Sequence, residues 1–342
     1  MTKKVLKYMS WILLAYVLVC LVTPFNKTLR NRSIKNQINY LSQLLDKGYD
    51  DRLQARFPEG KLFSNCLLAL SIIEYCEKND AAASRYGAMV DKCISRIQSK
   101  KALQKFNPDL TPALGMFYQG WSQLVYSSYK ESALFRFSNN QEEIVQRVAK
   151  TESMFTQLQA DSLRIMNSYP ESNWPADNLI GIAAMQSESL RMKWIGHLMK
   201  TTEHASGLIH HSGSDKHVIR GSSSAMITYC LDKSRYPKSQ EYNDKFLATF
   251  VDSYLGVQLV KENEDGSDNM DVDSGPVLFG YGASATIMNI KTQASLGNPN
   301  ARITWAAMNL ISAPVNLINR KFLLLKQEPM LDLFMLWAST DL

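Results

Sequence analysis

Cysteine is scarce in this chain, with five among 342 residues, and no two of them stand in a Cys-x-x-Cys pair. Without metal-like spacing, Cys66, Cys76, Cys93 and Cys230 read as small buried hydrophobes, although an exported domain could join two of them. Also absent are a Gly-x-Ser-x-Gly elbow, a Walker-type Gly-Lys-Ser/Thr loop and a His-Glu-x-x-His helix. Nucleophilic serine or cysteine hydrolysis is therefore unsupported, and no metal site or cofactor is expected. An excess of one charge is missing too: 38 Lys and Arg face 32 Asp and Glu, a net charge of +6. The basic residues gather near the N-terminus (Lys3, Lys4, Lys7, Lys27, Arg30, Arg32, Lys35), where membrane headgroups explain them. The remainder is close to neutral and has no basic stripe interleaved with aromatics, so nucleic acid is not an expected partner. Nor does a Pro/Gly/Ser linker divide the chain after residue 36. One large domain follows.

What is present begins with an apolar run. Residues 8–25 (YMSWILLAYVLVCLVTPF) carry no charge, and they match the shortest helix able to cross a hydrocarbon core of ~30 Å. The run closes on Val22-Thr23-Pro24-Phe25 without an A-x-A-like cleavage site, and a bulky Val19 precedes Cys20. Both features favour an uncleaved signal anchor over a cleaved or lipoprotein signal. The expected layout is a short basic tail over 1–7, a transmembrane anchor over 8–25 with the lipid bilayer as partner, a basic juxtamembrane segment over 26–36, and a domain over 37–342. A very short tail ahead of a large domain places that domain on the exported, periplasmic side.

Within the domain, short clusters rich in Gly, Pro, Asp, Arg or aromatics alternate with helical runs. The clusters are Phe57-Pro58-Glu59-Gly60, Pro112 to Trp121, Trp174 to Asn178, Arg220-Gly221-Ser222-Ser223, Asp271 to Pro276 and Glu328-Pro329-Met330. Ile34, Ile38, Leu41 and Leu45 repeat at helical spacing and stop at Gly48, which predicts an outer helix. Ser64 to Tyr75 is apolar nearly all round, as an inner helix buried between a core and an outer layer should be. Outer runs are predicted near 82–104, 141–167, 190–204, 238–254 and 299–318, and inner runs near 113–128, 176–188, 221–231, 276–294 and 329–339. Two interruptions predict β-ribbons: Gly207 to Ile219 around a Ser-Gly-Ser-Asp tip, and Val257 to Val260 before the acidic loop Lys261 to Asn269. The predicted fold is all-α, an (α/α)6 toroid of six helical hairpins with short ribbons at the mouth, preceded by one transmembrane helix. Every cluster would meet at that mouth.

Candidate site residues follow from this placement. Asp177 stands two residues after Pro175, in the first turn of an inner helix, where the helix dipole favours a carboxylate; it is a cap or a cavity acid, and Trp174 beside it offers a face for a sugar ring or an isoprenoid. Asp271 and Asp273 alternate ahead of Ser274-Gly275-Pro276, so an extended approach puts both carboxylates on one side, able to share a proton. A cap, or calcium together with Glu262, Glu264, Asp265 and Asp268, is the alternative. Tyr118 and Trp121 stand three apart on one helical face, either as core or as ligand contacts. Arg220 either binds an anionic ligand or pairs with a cavity carboxylate. Gly280-Tyr281-Gly282-Ala283 lacks the third glycine and preceding strand of a dinucleotide loop and reads as close packing inside a helix. His210, His211 and His217 read as an exposed polar ribbon.

Trp174-Pro175-Ala176-Asp177-Asn178, Arg220-Gly221-Ser222, Asp271 to Pro276 running into Gly280-Tyr281-Gly282-Ala283, and Leu336-Trp337-Ala338 resemble a bacterial branch of the linalool dehydratase/isomerase-like toroids. The resemblance covers most of the chain after residue 50. It implies an (α/α)6 barrel, a fold shared with many glycosidases and terpenoid cyclases, and a central cavity; no catalytic residue of that family is carried over. The expected function is a membrane-anchored enzyme in which Asp177, Asp271 and Asp273 do acid-base chemistry on a carbohydrate or an isoprenoid. Tyr118, Trp121, Trp174 and Arg220 would bind the small molecule or oligosaccharide. The alternative is a non-catalytic glycan- or lipid-binding module.

Overall fold

The computed structural model describes residues 3–161, 164–201, 204–213, 215, 217–270, 274–310 and 329–342. Six helices close an inner ring: α4 (Gly60–Lys78), α7 (Gly115–Glu131), α9 (Pro175–Ala183), α11 (Gly221–Lys233), α13 (Ala283–Ser295) and α15 (Pro329–Ser339). Each touches the next, and α15 returns to α4. Six outer helices precede them in the chain, one per hairpin: α2 (Lys27–Asp46), α5 (Ser84–Ile97), α8 (Gln141–Asp161), α10 (Glu188–Thr201), α12 (Ser239–Phe250) and α14 (Asn300–Leu310). Inner helices therefore run from mouth to closed end, and outer helices run back. This is the all-α toroid that the alternating clusters predict, and α4 shows why: Leu62, Leu67, Leu70 and Ile73 are buried on different sides of it, facing both the ring and the outer layer.

Ahead of the ring lies α1 (Lys3–Val22), whose stretch Lys4–Val22 is long and apolar enough to cross a membrane or to act as a signal sequence. It begins five residues before the predicted anchor and stops short of Thr23. Two helices were not predicted as separate elements: α3 (Tyr49–Arg56) between α2 and α4, and the single turn α6 (Lys100–Leu103). The corner from α3 into α4 needs Gly60, because a Cβ there would lie 2.4 Å from the carbonyl carbon of Leu53.

The ribbons differ from expectation. The strand β1 (Val251–Tyr254) takes the end of the helix predicted over 238–254 and pairs antiparallel with β2 (Val257–Val260), Val251 opposite Val260. Val251 and Tyr254 suit an extended pleat better than a helix end, and Leu255-Gly256 turn the chain with positive φ. The described residues of 207–219 form no ladder; an isolated bridge joins Ser212 to Asp215, and the Ile209 amide donates to the Tyr242 hydroxyl. A second hairpin, β3 (Val277–Leu278) with β4 (Tyr281–Gly282), occupies the start of the helix predicted over 276–294, so α13 begins only at Ala283. Gly280-Tyr281-Gly282 is thus a turn and a strand, not helix packing. Phe279 and Gly280 both adopt positive φ in the two-residue loop, the conformation that matches the twist of a tight hairpin.

Candidate functional site

The mouth is built around residues 166–169, the approach to α9. Asn178 locks this segment: its side-chain carbonyl accepts from the Met166 amide at 2.9 Å and its amide group donates to the Met166 carbonyl at 3.0 Å. On the other side the Met116 amide donates to the Asn167 carbonyl at 2.9 Å. Gly115 permits that approach, since a Cβ at its φ of +77° would lie 2.1 Å from the Ser168 carbonyl oxygen. The segment is stitched to two helix N-termini at once, which fixes Ser168 and Tyr169 at the mouth.

Asp177 lies in the first turn of α9 and is 8% exposed. Its Oδ2 accepts from Ser168 Oγ at 2.6 Å, while Trp174 takes the N-cap position without a side-chain cap bond. α7 and α9 cross closely beside it: a Cβ on Gly120 would stand 2.9 Å from the Asp177 carbonyl oxygen, and one on Gly181 3.3 Å from the Gly120 Cα. Two facing glycines thereby set the depth at which Asp177 enters the cavity.

That cavity has a volume of about 550 Å³, within the usual ~300–1,000 Å³ of ligand sites. Its floor is apolar, with Phe63, Phe117, Trp121, Met226, Met288 and Phe334. Phe63 meets Trp121 edge-on at 4.6 Å and Phe334 at 5.0 Å between centroids. The polar groups sit on the rim. Tyr169 donates its hydroxyl to Glu59 Oε1, and its ring stands edge-on to Trp174 at 5.2 Å. Trp174 also neighbours His211, at 6.4 Å between ring centroids, and the His211 Nδ1 is 2.7 Å from Ser223 Oγ. Glu59, Tyr169, Trp174, Asp177, His211 and Ser223 all line the cavity, so two titratable rings stand beside one indole.

Ser222 at the head of α11 also faces the cavity and donates to Glu262 Oε1 at 2.7 Å. Glu262 is completely buried, and Gly282 makes room for it, since a Cβ there would meet its Oε2 at 2.7 Å. Two other acidic residues of that loop bind backbone amides: Asp265 Oδ1 accepts from the Ser267 amide at 2.9 Å within the loop, and Asp268 Oδ1 accepts from the Gly280 amide of the β3–β4 turn at 2.5 Å. Among the described residues no group of three His, Cys, Asp or Glu is placed to hold a metal ion.

The structure thus brings together Trp121, Trp174 and Asp177 at one cavity. Tyr118 is not among the lining residues; its ring packs on Phe106 at 5.3 Å, and burial followed by the nearby Tyr126 pushes its hydroxyl well above the ordinary tyrosine range. Arg220 is likewise absent from the lining: it is the N-cap residue of α11, and its backbone bridges to Asn263. Asp271 and Asp273 lie outside the described residues. Two of the three histidines correct the expectation of an exposed ribbon, since His210 is buried and His211 is a half-buried cavity residue, whereas His217 is exposed as expected. The sequence assigns no role to Tyr169, places Glu59 in a mouth cluster without a site role, and reads His211 as exposed ribbon. The available signal was position alone, each lying within or beside a segment that leads into an inner helix.

No family model and no curated protein matches the chain. Among solved structures, one of a polysaccharide lyase aligns with 90% of this chain and 97% of its own length, at a TM-score of 0.51 and 12% identity. The likeness is one of fold.

Proposed function

We propose that this protein is a membrane-anchored enzyme of the α/α toroid type, with its toroid exported, that carries out acid-base chemistry on a sugar-bearing substrate at the ring mouth. The arc Glu59–Tyr169–Trp174–His211–Ser223 carries the reading. An indole at a cavity mouth offers a flat apolar face to a sugar ring, and two proton-transfer groups, Tyr169 and His211, stand beside it. His211, of a residue type that changes charge near pH ~6.5, suits the base. Tyr169 suits the acid: its hydroxyl can pass a proton to a departing oxygen, while Glu59 holds it in place. Asp177, fixed by Ser168, is a second carboxylate beside the platform. The fold neighbour's name, a polysaccharide lyase, supports a glycosidic bond as the target.

A screen of polysaccharides and glycosides, read both for reducing ends and for the absorbance of unsaturated sugars, separates hydrolysis from elimination. On a substrate so found, Tyr169→Phe and His211→Gln should each lower kcat by roughly 10²–10⁴ with the helical spectrum unchanged, Asp177→Asn should lower turnover, and Trp174→Ala should mainly raise KM. Native-like turnover in both of the first two variants would refute the assignment.

The floor of aromatic and Met side chains favours a second reading, a cavity that holds a ligand with an apolar end without turning it over. An isoprenoid substrate, as the resemblance to the linalool dehydratase/isomerase-like toroids suggests, would use the same floor. Ligand binding that survives Tyr169→Phe and His211→Gln, with no turnover by the native protein on any substrate, would put the binding module in place of the enzyme.

A further inference from the structure

Two sets of exposed apolar residues have no role in the cavity. The first is α1, where every residue from 4 to 15 is exposed. The second is the edge of the mouth: Leu278 and Phe279 at the β3–β4 tip are 59% and 91% exposed, and Met270 on the neighbouring loop is 64% exposed. Phe279 is held at φ +55°, a conformation bulky side chains seldom adopt, and the turn directs its ring away from the protein.

The direction of α1 relates the two. Its final turns lie against α14, and both Tyr16 and Cys20 reach the Asn309 carbonyl. The start of α2 sits at the closed end, where Asn31 donates to Asn79, the C-cap of α4. Arg30 lies near the first turn of α14, where burial and then the charge of Arg302 hold its guanidinium below the ordinary value. Going back along the chain from Arg30 to Tyr16 thus moves up α14 from Arg302 to Asn309, toward the mouth. Residues 4–15 continue in that direction.

Length then sets a constraint. At ~1.5 Å per residue, residues 4–15 extend about 18 Å, whereas a hydrocarbon core is ~30 Å thick. The full apolar stretch Lys4–Val22 can lie in a bilayer only if the flank beside Tyr16 and Cys20 sinks by roughly 10 Å, the depth of an interfacial element. We propose that the toroid is seated mouth-down on the bilayer, with Leu278, Phe279 and Met270 entering the headgroup region as a second membrane contact beside α1. Glu264, Asp265 and Asp268 flank this edge and are or border exposed loop positions, so apolar insertion rather than attraction to anionic lipid is the driving term. A cavity opening onto the bilayer would receive its ligand from the membrane surface. The other exposed tip, Leu255, lies beside Ile303 and Asn300 at the closed end through the neighbouring Gly256, and should stay in water.

All five native cysteines are buried, so an added surface cysteine can be labelled alone. The full-length protein, labelled with an environment-sensitive fluorophore at Phe279→Cys or, keeping Phe279, at Asn269→Cys, is inserted into phosphatidylcholine vesicles and recovered by flotation. Both labels should shift to the blue and be quenched several-fold more by nitroxide-headgroup lipid than a label at Leu255→Cys. Adding Leu278→Ser and Phe279→Ser to Asn269→Cys should reduce that quenching. Equal quenching at all three sites, stronger quenching at Leu255→Cys, or failure of the protein to float would each overturn the proposal.

Discussion

Lys291 is the sharpest test of how the ring is closed. It stands on α13 at the end opposite the mouth with its side chain 1% exposed. Its Nζ lies 2.5 Å from Glu74 Oε2 on α4 and 2.6 Å from Asp341 Oδ2 after α15, and it donates to the Trp337 carbonyl and Thr340 Oγ1, each at 3.2 Å. Trp337 Nε1 donates to the other Glu74 oxygen at 3.0 Å. One ammonium therefore ties the first inner helix to the fifth and sixth. Lys291→Met keeps the stem and removes the charge, leaving two largely buried carboxylates side by side. Breaking a buried ion pair in this way costs about 3–5 kcal/mol. At roughly 2 °C per kcal/mol for a domain of this size, Tm should fall by roughly 5–10 °C, read by far-UV circular dichroism on heating. Adding Glu74→Gln and Asp341→Asn removes the stranded charges and should restore part of the loss. A melting point for Lys291→Met within ~1 °C of native would refute the reasoning.

The same network fixes a pH window. Burial pushes the Asp341 carboxyl up, but Lys291 and Lys78 outweigh it and hold the group below its ordinary value. Burial disfavours the Lys291 ammonium, yet Asp341 and Glu74 hold its pKa above the ordinary lysine value. A depressed carboxyl contributes stability above its unfolded pKa of ~3.9 and loses it as pH falls through the folded value. A raised lysine contributes below ~10.4 and loses its contribution as pH rises through the folded value. The gap between native and Lys291→Met should therefore be fully present near neutral pH, narrow on the acidic side as the two stranded carboxylates of the variant, raised by burial and by each other, take up protons, and narrow again at strongly alkaline pH as native Lys291 loses its proton.

Gly120→Ala should cost about 1–3 kcal/mol, because its Cβ would stand 2.9 Å from the Asp177 carbonyl oxygen; a thermal melt equal to native would show that α7 and α9 can separate freely. Asn178→Ala should destabilise by about 1–3 kcal/mol, because the Met166 amide and carbonyl lose their partners, and limited proteolysis should then cut near 166–169 faster than in the native chain. Thiol reagents should leave the folded protein unmodified, since burial pushes Cys76 and Cys93 each up to about 12 and all five cysteines are buried; rapid labelling of any one in the folded state would contradict the packing.

The toroid was legible because its punctuation is local. Pro175 takes the first position of α9, a place where a missing N–H costs nothing, and nearly continuous apolar runs such as that of α4 mark helices covered on both sides. What local pattern could not decide was the competition at element ends. Val251 to Tyr254 continues the periodicity of α12 for a few residues, but pairing with Val257–Val260 satisfies the same backbone groups as a further helical turn would. The choice depends on a partner segment rather than on the run itself. The β3–β4 hairpin was hidden for a related reason: Gly280 and Gly282 read as small helix-packing residues, whereas their absent side chains accommodate the Gly266 carbonyl and Glu262.

At the site, legibility follows sequence separation. Asp177 and Trp174 share one cluster, so a single helix start places both. Phe117 and Trp121 are four apart, about one helical turn, and both line the cavity; Tyr118, three from Trp121, is buried against Phe106 and does not line it. Spacing by four would have separated lining from packing on this helix. The Glu59–Tyr169 pair spans 110 positions, and it exists because the ring's curvature brings the approach to α4 beside the approach to α9 across the intervening α7. The His211–Ser223 pair is only 12 positions apart, yet the loop has no β-ladder among its described residues and so offers no periodicity by which to aim the imidazole. The rim is therefore a property of the ring rather than of any one cluster. A change that loosens ring closure at Lys291, far from the mouth, should disturb the Glu59–Tyr169 contact before it disturbs Asp177, whose partner Ser168 is only nine positions away.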